Sequence, residues 1–293
     1  MPDRIYMLKS TWQSILDALR SKTKTSASYT AGDVPGLIAG IITGGYDIGK
    51  NVATQTVPVF EEGTTVIANP ARVATTLNLP ATTQRIKDRT FVSSTTLTSI
   101  PNINDFEDLV IEDRAFSAAN NLVIPELAIP GSPTLGEGAF FGTTINKINL
   151  PNATFGERCF QATKGVTEAT IGYTSRYLFY GSDVQKATIL KATELDNYTF
   201  SMAQKLELVD IKCPTTIKAS VFEYTDKLTT LILRSPTLVP LGNYNAFGAS
   251  AMLDAGSKIY VPQALLSQYP TETNWSSLKR VSWLPIEGSP YEE

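Results

Sequence analysis

Apolar positions recur along this chain with changing period. Near the start, Trp12, Ile15, Leu16 and Leu19 fall at helical spacing, with Asp17 and Arg20 on the remaining surface. The pattern predicts an amphipathic helix from Thr11 to Arg20, running out into the polar linker SKTKTSAS. Asp33 then stands as an N-cap, with Val34 and Pro35 in the first turn, where proline costs no needed hydrogen bond. Val34, Leu37, Ile38, Ile41 and Ile42 form the apolar stripe of this second helix, and Gly44 and Gly45 end it. From 49 to 90 the helical period is lost. TQTVPVF and TTVIA are β-prone, and Pro58, Pro70 and Pro80 cut the stretch into short extended pieces.

Beyond that point phenylalanine recurs at Phe91, Phe116, Phe140, Phe160, Phe179, Phe200, Phe222 and Phe247, at intervals of 19 to 25 residues. Five or six positions later comes an aliphatic residue: Ile145, Val166, Val184, Leu206 and Leu228. A two-residue alternation follows each one, as in Ile148 with Leu150, Ala169 with Ile171, and Val209 with Ile211. Period two denotes a short strand with one face inward. Proline at 130, 151, 214, 236 and 262 closes several of these strands. One such unit cannot bury its own apolar face. Stacked units can, so the pattern predicts a solenoid of about eight turns, on the order of 40 Å long, with the phenylalanines in a shared interior column.

After Pro262 the repeat stops. Ala264, Leu265 and Leu266 start a short helix that Pro270 interrupts, and Trp275, Leu278, Val281 and Trp283 are expected to fold over the open end. The fold class is therefore α+β. Residues 1–48 form a helical docking or oligomerising module, 49–90 a β-prone connector, 91–262 the solenoid, and 263–293 the cap.

Composition narrows the chemistry. Lys and Arg number 25 against 28 Asp and Glu, so no positive field invites nucleic acid. No apolar run is long enough to span a bilayer, and MPDRIYMLKS lacks the apolar segment of a secretory signal. The two cysteines, Cys159 and Cys213, read as buried small hydrophobes. Histidine is absent, which removes the commonest general base and zinc ligand and forbids a Ser-His-Asp triad. Neither TGGYDIGK nor GEGAFFG has the spacing of a phosphate loop. Asp183, Glu194, Asp196, Asp210, Glu223 and Asp226 include carboxylates that a glycan hydrolase would use, but their positions do not recur in register and suit a solvated face. No metal or cofactor is expected, nor any catalytic residue. Tyr173, Tyr177, Tyr180, Tyr198 and Tyr224 fall in three successive turns and form a candidate binding patch for a wall glycan or surface protein.

The segments EGAFFGTTINKINLP, ASVFEYTDKLTTLILRSP and YNAFGASAMLDAGSKIYVP resemble the leucine-rich repeats of surface antigens from Bacteroides, Treponema and Trichomonas. The ending IYVPQALLSQYPTETNWSSL is similar to that of many such proteins in Firmicutes and their phages. The opening ILDALRSKTKTSASYTAGDVPGLIAGI resembles a module near the N-terminus of Gram-positive phage tail-region proteins, with Lys24-Thr25-Ser26 where that module has a KTG glycine. Together these resemblances imply a leucine-rich-repeat-like β solenoid in a non-enzymatic virion protein: a tail fibre, receptor-binding protein, or accessory tail or capsid protein. Its partners would be other virion proteins through the N-terminal module and the host surface. Attachment to a symmetric particle favours a homo-oligomer. A cell-surface adhesin and a glycan hydrolase on a repeat scaffold are the alternatives.

Overall fold

The structure, a computed structural model, describes residues 66–67 and 74–293. The two helices expected within residues 1–48 lie outside them.

Each two-residue alternation in the repeat forms a strand. Lys147–Leu150, Glu168–Ile171, Lys186–Ile189, Leu208–Ile211, Thr230–Leu233, Lys258–Val261 and Ser282–Pro285 lie side by side in chain order, all parallel. Sequential parallel neighbours require the chain to travel round and return on the same side each time, which winds it into a solenoid. The register is strict: Ile148, Ala169, Ala187, Val209, Leu231 and Ile259 are successive partners, and all are buried.

A second parallel sheet runs through the earlier turns from two-residue strands at Val66–Ile67, Arg85–Ile86, Val110–Ile111, Thr134–Leu135 and Thr154–Phe155. Its first two strands fall in the stretch expected to be a connector. In its described part that stretch is already solenoid, so the winding reaches N-terminal of Phe91.

Between these sheets the chain turns at the phenylalanine. Rings from Phe91 to Phe247 stack in one column, with successive centroids 5.2–5.9 Å apart. The backbone is laddered here too. The Phe160 N–H donates to the Leu178 carbonyl at 3.0 Å, and the Phe179 N–H to that of Thr199 at 2.7 Å. N–H groups two residues either side of the ring do the same, as Arg158 to Arg176 and Ala162 to Tyr180. Those flanking residues adopt left-handed backbone: φ is 60° at Arg158, 59° at Tyr177 and 63° at Tyr198, then 55° at Ala162, 61° at Met202 and 55° at Tyr224. Each non-glycine in that region costs about 1–2 kcal/mol, offset here by bonds to the next turn. Three residues past the ring, the buried hydroxyls of Thr143, Thr163 and Thr225 donate back to the phenylalanine carbonyl at 2.7–2.8 Å.

This turn chemistry leaves no room for α-helix. Among the described residues the only helical elements are short 3-10 turns, and in the cap these stand where a short helix was expected; the helices expected in residues 1–48 lie outside the described residues. Gln263–Leu265 and Tyr269–Thr271 are two separate 3-10 turns, and Pro270 is the second residue of the latter. Its fixed φ and missing N–H suit a first turn, so it does not interrupt a longer helix.

The cap closes the last turn by packing and by hydrogen bonds. Trp275 and Tyr269 are fully buried, Trp275 lying 6.0 Å from Phe247 and Tyr269 stacking on Trp283. Trp275 Nε1 donates to the Val239 carbonyl at 2.7 Å, and the Val239 N–H donates to the Tyr269 hydroxyl at 3.0 Å. The segment after Pro285 then crosses the outer face of the long sheet. Ile286 and Tyr291 cover Leu208, Ile232, Tyr260 and Leu284, while Glu293 pairs with Lys212 and Arg234. Outward-facing positions that are polar in earlier strands are thus apolar in later ones.

Candidate functional site

Side chains two residues before Phe160, Phe179 and Phe200 form an external column. Their shared left-handed backbone aims each one the same way, so Arg158, Tyr177 and Tyr198 stand in line in successive turns. The Tyr177 ring stacks on Tyr198 with centroids 4.9 Å apart and planes 6° apart. The Arg158 guanidinium lies 4.8 Å from the Tyr177 centroid, Arg176 lies 5.0 Å from it, and Tyr180 meets it edge-on at 5.5 Å. Stacked rings contribute about 0.5–1.5 kcal/mol beyond area, and an exposed guanidinium over a ring about 0.5–1 kcal/mol. The column is half-buried and held on both faces.

Such an arrangement offers a flat apolar edge, phenolic hydroxyls and guanidinium donors side by side. It can take hydroxyl- or carbonyl-rich partners along that edge by apolar contact and charge-assisted hydrogen bonding.

Of the five tyrosines expected to form one patch, the structure brings Tyr177, Tyr180 and Tyr198 together. Tyr224 stands in the column two residues after the phenylalanine, and Tyr173 just past the Glu168–Ile171 strand; both are exposed and outside the cluster. Arg158 and Arg176 belong to the site and were not singled out from the sequence. The available signal was the spacing: Arg158, like Tyr177 and Tyr198, lies two residues before a repeat phenylalanine.

Of the acidic residues that a hydrolase would use, Asp183, Glu194, Asp196 and Asp210 are engaged in ion pairs across turns. Asp183 meets Lys205 at 2.9 Å, and Glu194 and Asp196 share Lys218 at 2.6 and 3.4 Å. Asp210 is buried and holds Arg234 by two bonds of 2.8 and 3.0 Å. The Glu194 hydrogen bond raises the Lys218 ammonium above its ordinary range. Both cysteines are free and buried. Burial pushes the Cys159 thiol far up, and its place in the turn is filled elsewhere by Ala139, Thr199 and Val221. Among the described residues no group of Cys, Asp and Glu is placed to hold a metal ion, and no helix is long and apolar enough to cross a membrane.

Residues 71–167 and 133–253 match the BspA-type leucine-rich repeat region, in six copies. The chain belongs to that family. No curated protein matches it. A crystal structure of a leucine-rich repeat protein from Bacteroides ovatus is similar at 16% identity and a TM-score of 0.29, over 75% of this chain and 88% of that one. That likeness is too slight to carry an argument. The Arg158–Tyr177–Tyr198 column lies within the matched leucine-rich repeats, and the cap lies beyond them.

Proposed function

We propose that this leucine-rich repeat protein is a non-enzymatic recognition scaffold that presents the Arg158–Tyr177–Tyr198 column to a cell surface. The observation that carries this reading is the column itself: aromatic and guanidinium groups, half exposed, fixed at 4.8–4.9 Å spacing by a repeated backbone turn. Rigid aromatic anchors of this kind bind at low entropic cost. In the same reading the protein rides on a phage particle, docked to other virion proteins through residues 1–48 as a homo-oligomer, and touches a host wall glycan or surface protein. Support for the virion placement is the resemblance of the opening residues to phage tail-region modules.

A cell-surface adhesin is the second reading, favoured by the BspA-type repeats. Antibody labelling separates the two: labelled particles support the virion placement, whereas label confined to cells overturns it. Recognition is tested by adsorption of the purified chain to host cells. The Tyr177→Ala, Tyr198→Ala double variant is expected to lose adsorption while remaining folded. Unchanged adsorption by a folded double variant rejects the column as the contact.

A further inference from the structure

Away from the tyrosine column, the outer face of the long sheet carries a concave site. Cross-strand partners Thr170 and Thr188 lie on its floor beside Leu208, where the polar part of the face meets the part covered by the C-terminal segment. The cavity there measures about 230 Å³, and Tyr291 forms its wall. Lys186, Glu168 and Asp210 stand round it.

Size and chemistry together restrict the occupant. The space is wide enough for one substituted six-membered ring and is open to solvent on one side. Tyr291 and Leu208 offer an apolar surface to one side of such a ring. Thr170, Thr188 and Lys186 can donate to ring substituents, and the carboxylates of Glu168 and Asp210 can accept from them. The two carboxylates are matched by Lys186 and by Arg234, which grips Asp210. The site therefore has no excess charge to attract an ion, but it has donors and acceptors enough for several hydroxyls. Tyr291 is held in place rather than free: it meets Tyr260 edge-on at 4.8 Å, and Glu293 beyond it pairs with Lys212 and Arg234.

We propose that this cleft binds a neutral hexopyranose unit, stacked against Tyr291 with its hydroxyls on Thr170, Thr188, Lys186 and Asp210. The site is separate from the tyrosine column and does not depend on it.

Titration of the full chain with glucose, N-acetylglucosamine and glucuronate, followed by amide NMR, tests the assignment. Saturable shifts at Thr170 and Thr188 are expected with at least one neutral sugar in the millimolar range, and smaller shifts with glucuronate. Thr188→Trp fills the floor and should abolish them. Lys186→Ala, which leaves the space open, should weaken binding, and Tyr291→Ala should weaken it about fivefold to tenfold. Absence of saturable shifts with either neutral sugar overturns the proposal, as do shifts that persist in a folded Thr188→Trp variant or a stronger response to glucuronate. Cells adsorbed through Tyr177 by a chain that shows no such shifts would reject the cleft and leave the column reading standing.

Discussion

Phe179 lies flat on Phe200, with ring centroids 5.5 Å apart and planes within 2° of parallel. The two residues are one turn apart, and the Phe179 N–H donates to the carbonyl just before Phe200. Ring stacking and backbone ladder thus share one register, because a slip of one turn against the next breaks both together.

Close approach between turns makes some glycines irreplaceable. A Cβ on Gly156 would sit 2.4 Å from the Glu137 backbone nitrogen, whereas one on Gly181 meets nothing within 4 Å. Gly156→Ala should destabilise by about 3 kcal/mol or more, the upper end of overpacking, because the added carbon meets three backbone atoms. Gly181→Ala should cost only about 1–2 kcal/mol, the left-handed penalty already carried at the equivalent Ala118 and Ala162. Urea unfolding of the two variants checks the order.

Cys159 is fully enclosed, and burial drives its thiol pKa far upward. In a Cys213→Ala background, Cys159 should resist a thiol reagent in the native protein and react only as the protein unfolds. Reaction in native buffer at the rate of a free thiol would show that the turn opens locally.

Glu293 has its pKa lowered, first by its hydrogen bond with Lys212 and then by the charge of Arg234. A depressed carboxylate contributes above its ordinary value of 4.5 and loses that contribution as pH falls through the lower folded value. Protection factors for amide exchange at residues 286–293, taken against the intrinsic rate at each pH, should therefore be high at neutral pH and fall below about pH 4.5, with Glu293→Gln less protected than the wild type at neutral pH and equal to it in acid. Equal exchange in both proteins at pH 7 would show that the ion pairs do not hold the segment.

Much of the solenoid was legible because its signals are large and local. A phenylalanine every 19–25 residues and a strand alternation after it can be read directly, and both come from side chains that must be buried. The left-handed positions could not be read. Arg158, Tyr177, Met202 and Ser220 do not advertise positive φ as glycine does, and only the demand for inter-turn hydrogen bonds puts them there. The tyrosine site was half visible for the same reason: Tyr177, Tyr180 and Tyr198 are close in sequence, whereas Arg158 joins them through the register of the turns. The segment over the sheet was invisible, since Glu293 meets Lys212 across 81 residues and no periodicity links them. Apolar Leu208, Ile232 and Tyr260 at outward strand positions were its one trace.

The most direct test of the stacked interior is a double-mutant cycle on Phe179 and Phe200, read by urea unfolding. Phe179→Ala alone should cost about 3–5 kcal/mol, and the pair should show a coupling of about 0.5–1.5 kcal/mol. A single-variant loss below about 1 kcal/mol, with strictly additive effects in the double variant, would contradict a fold held by rings shared between turns.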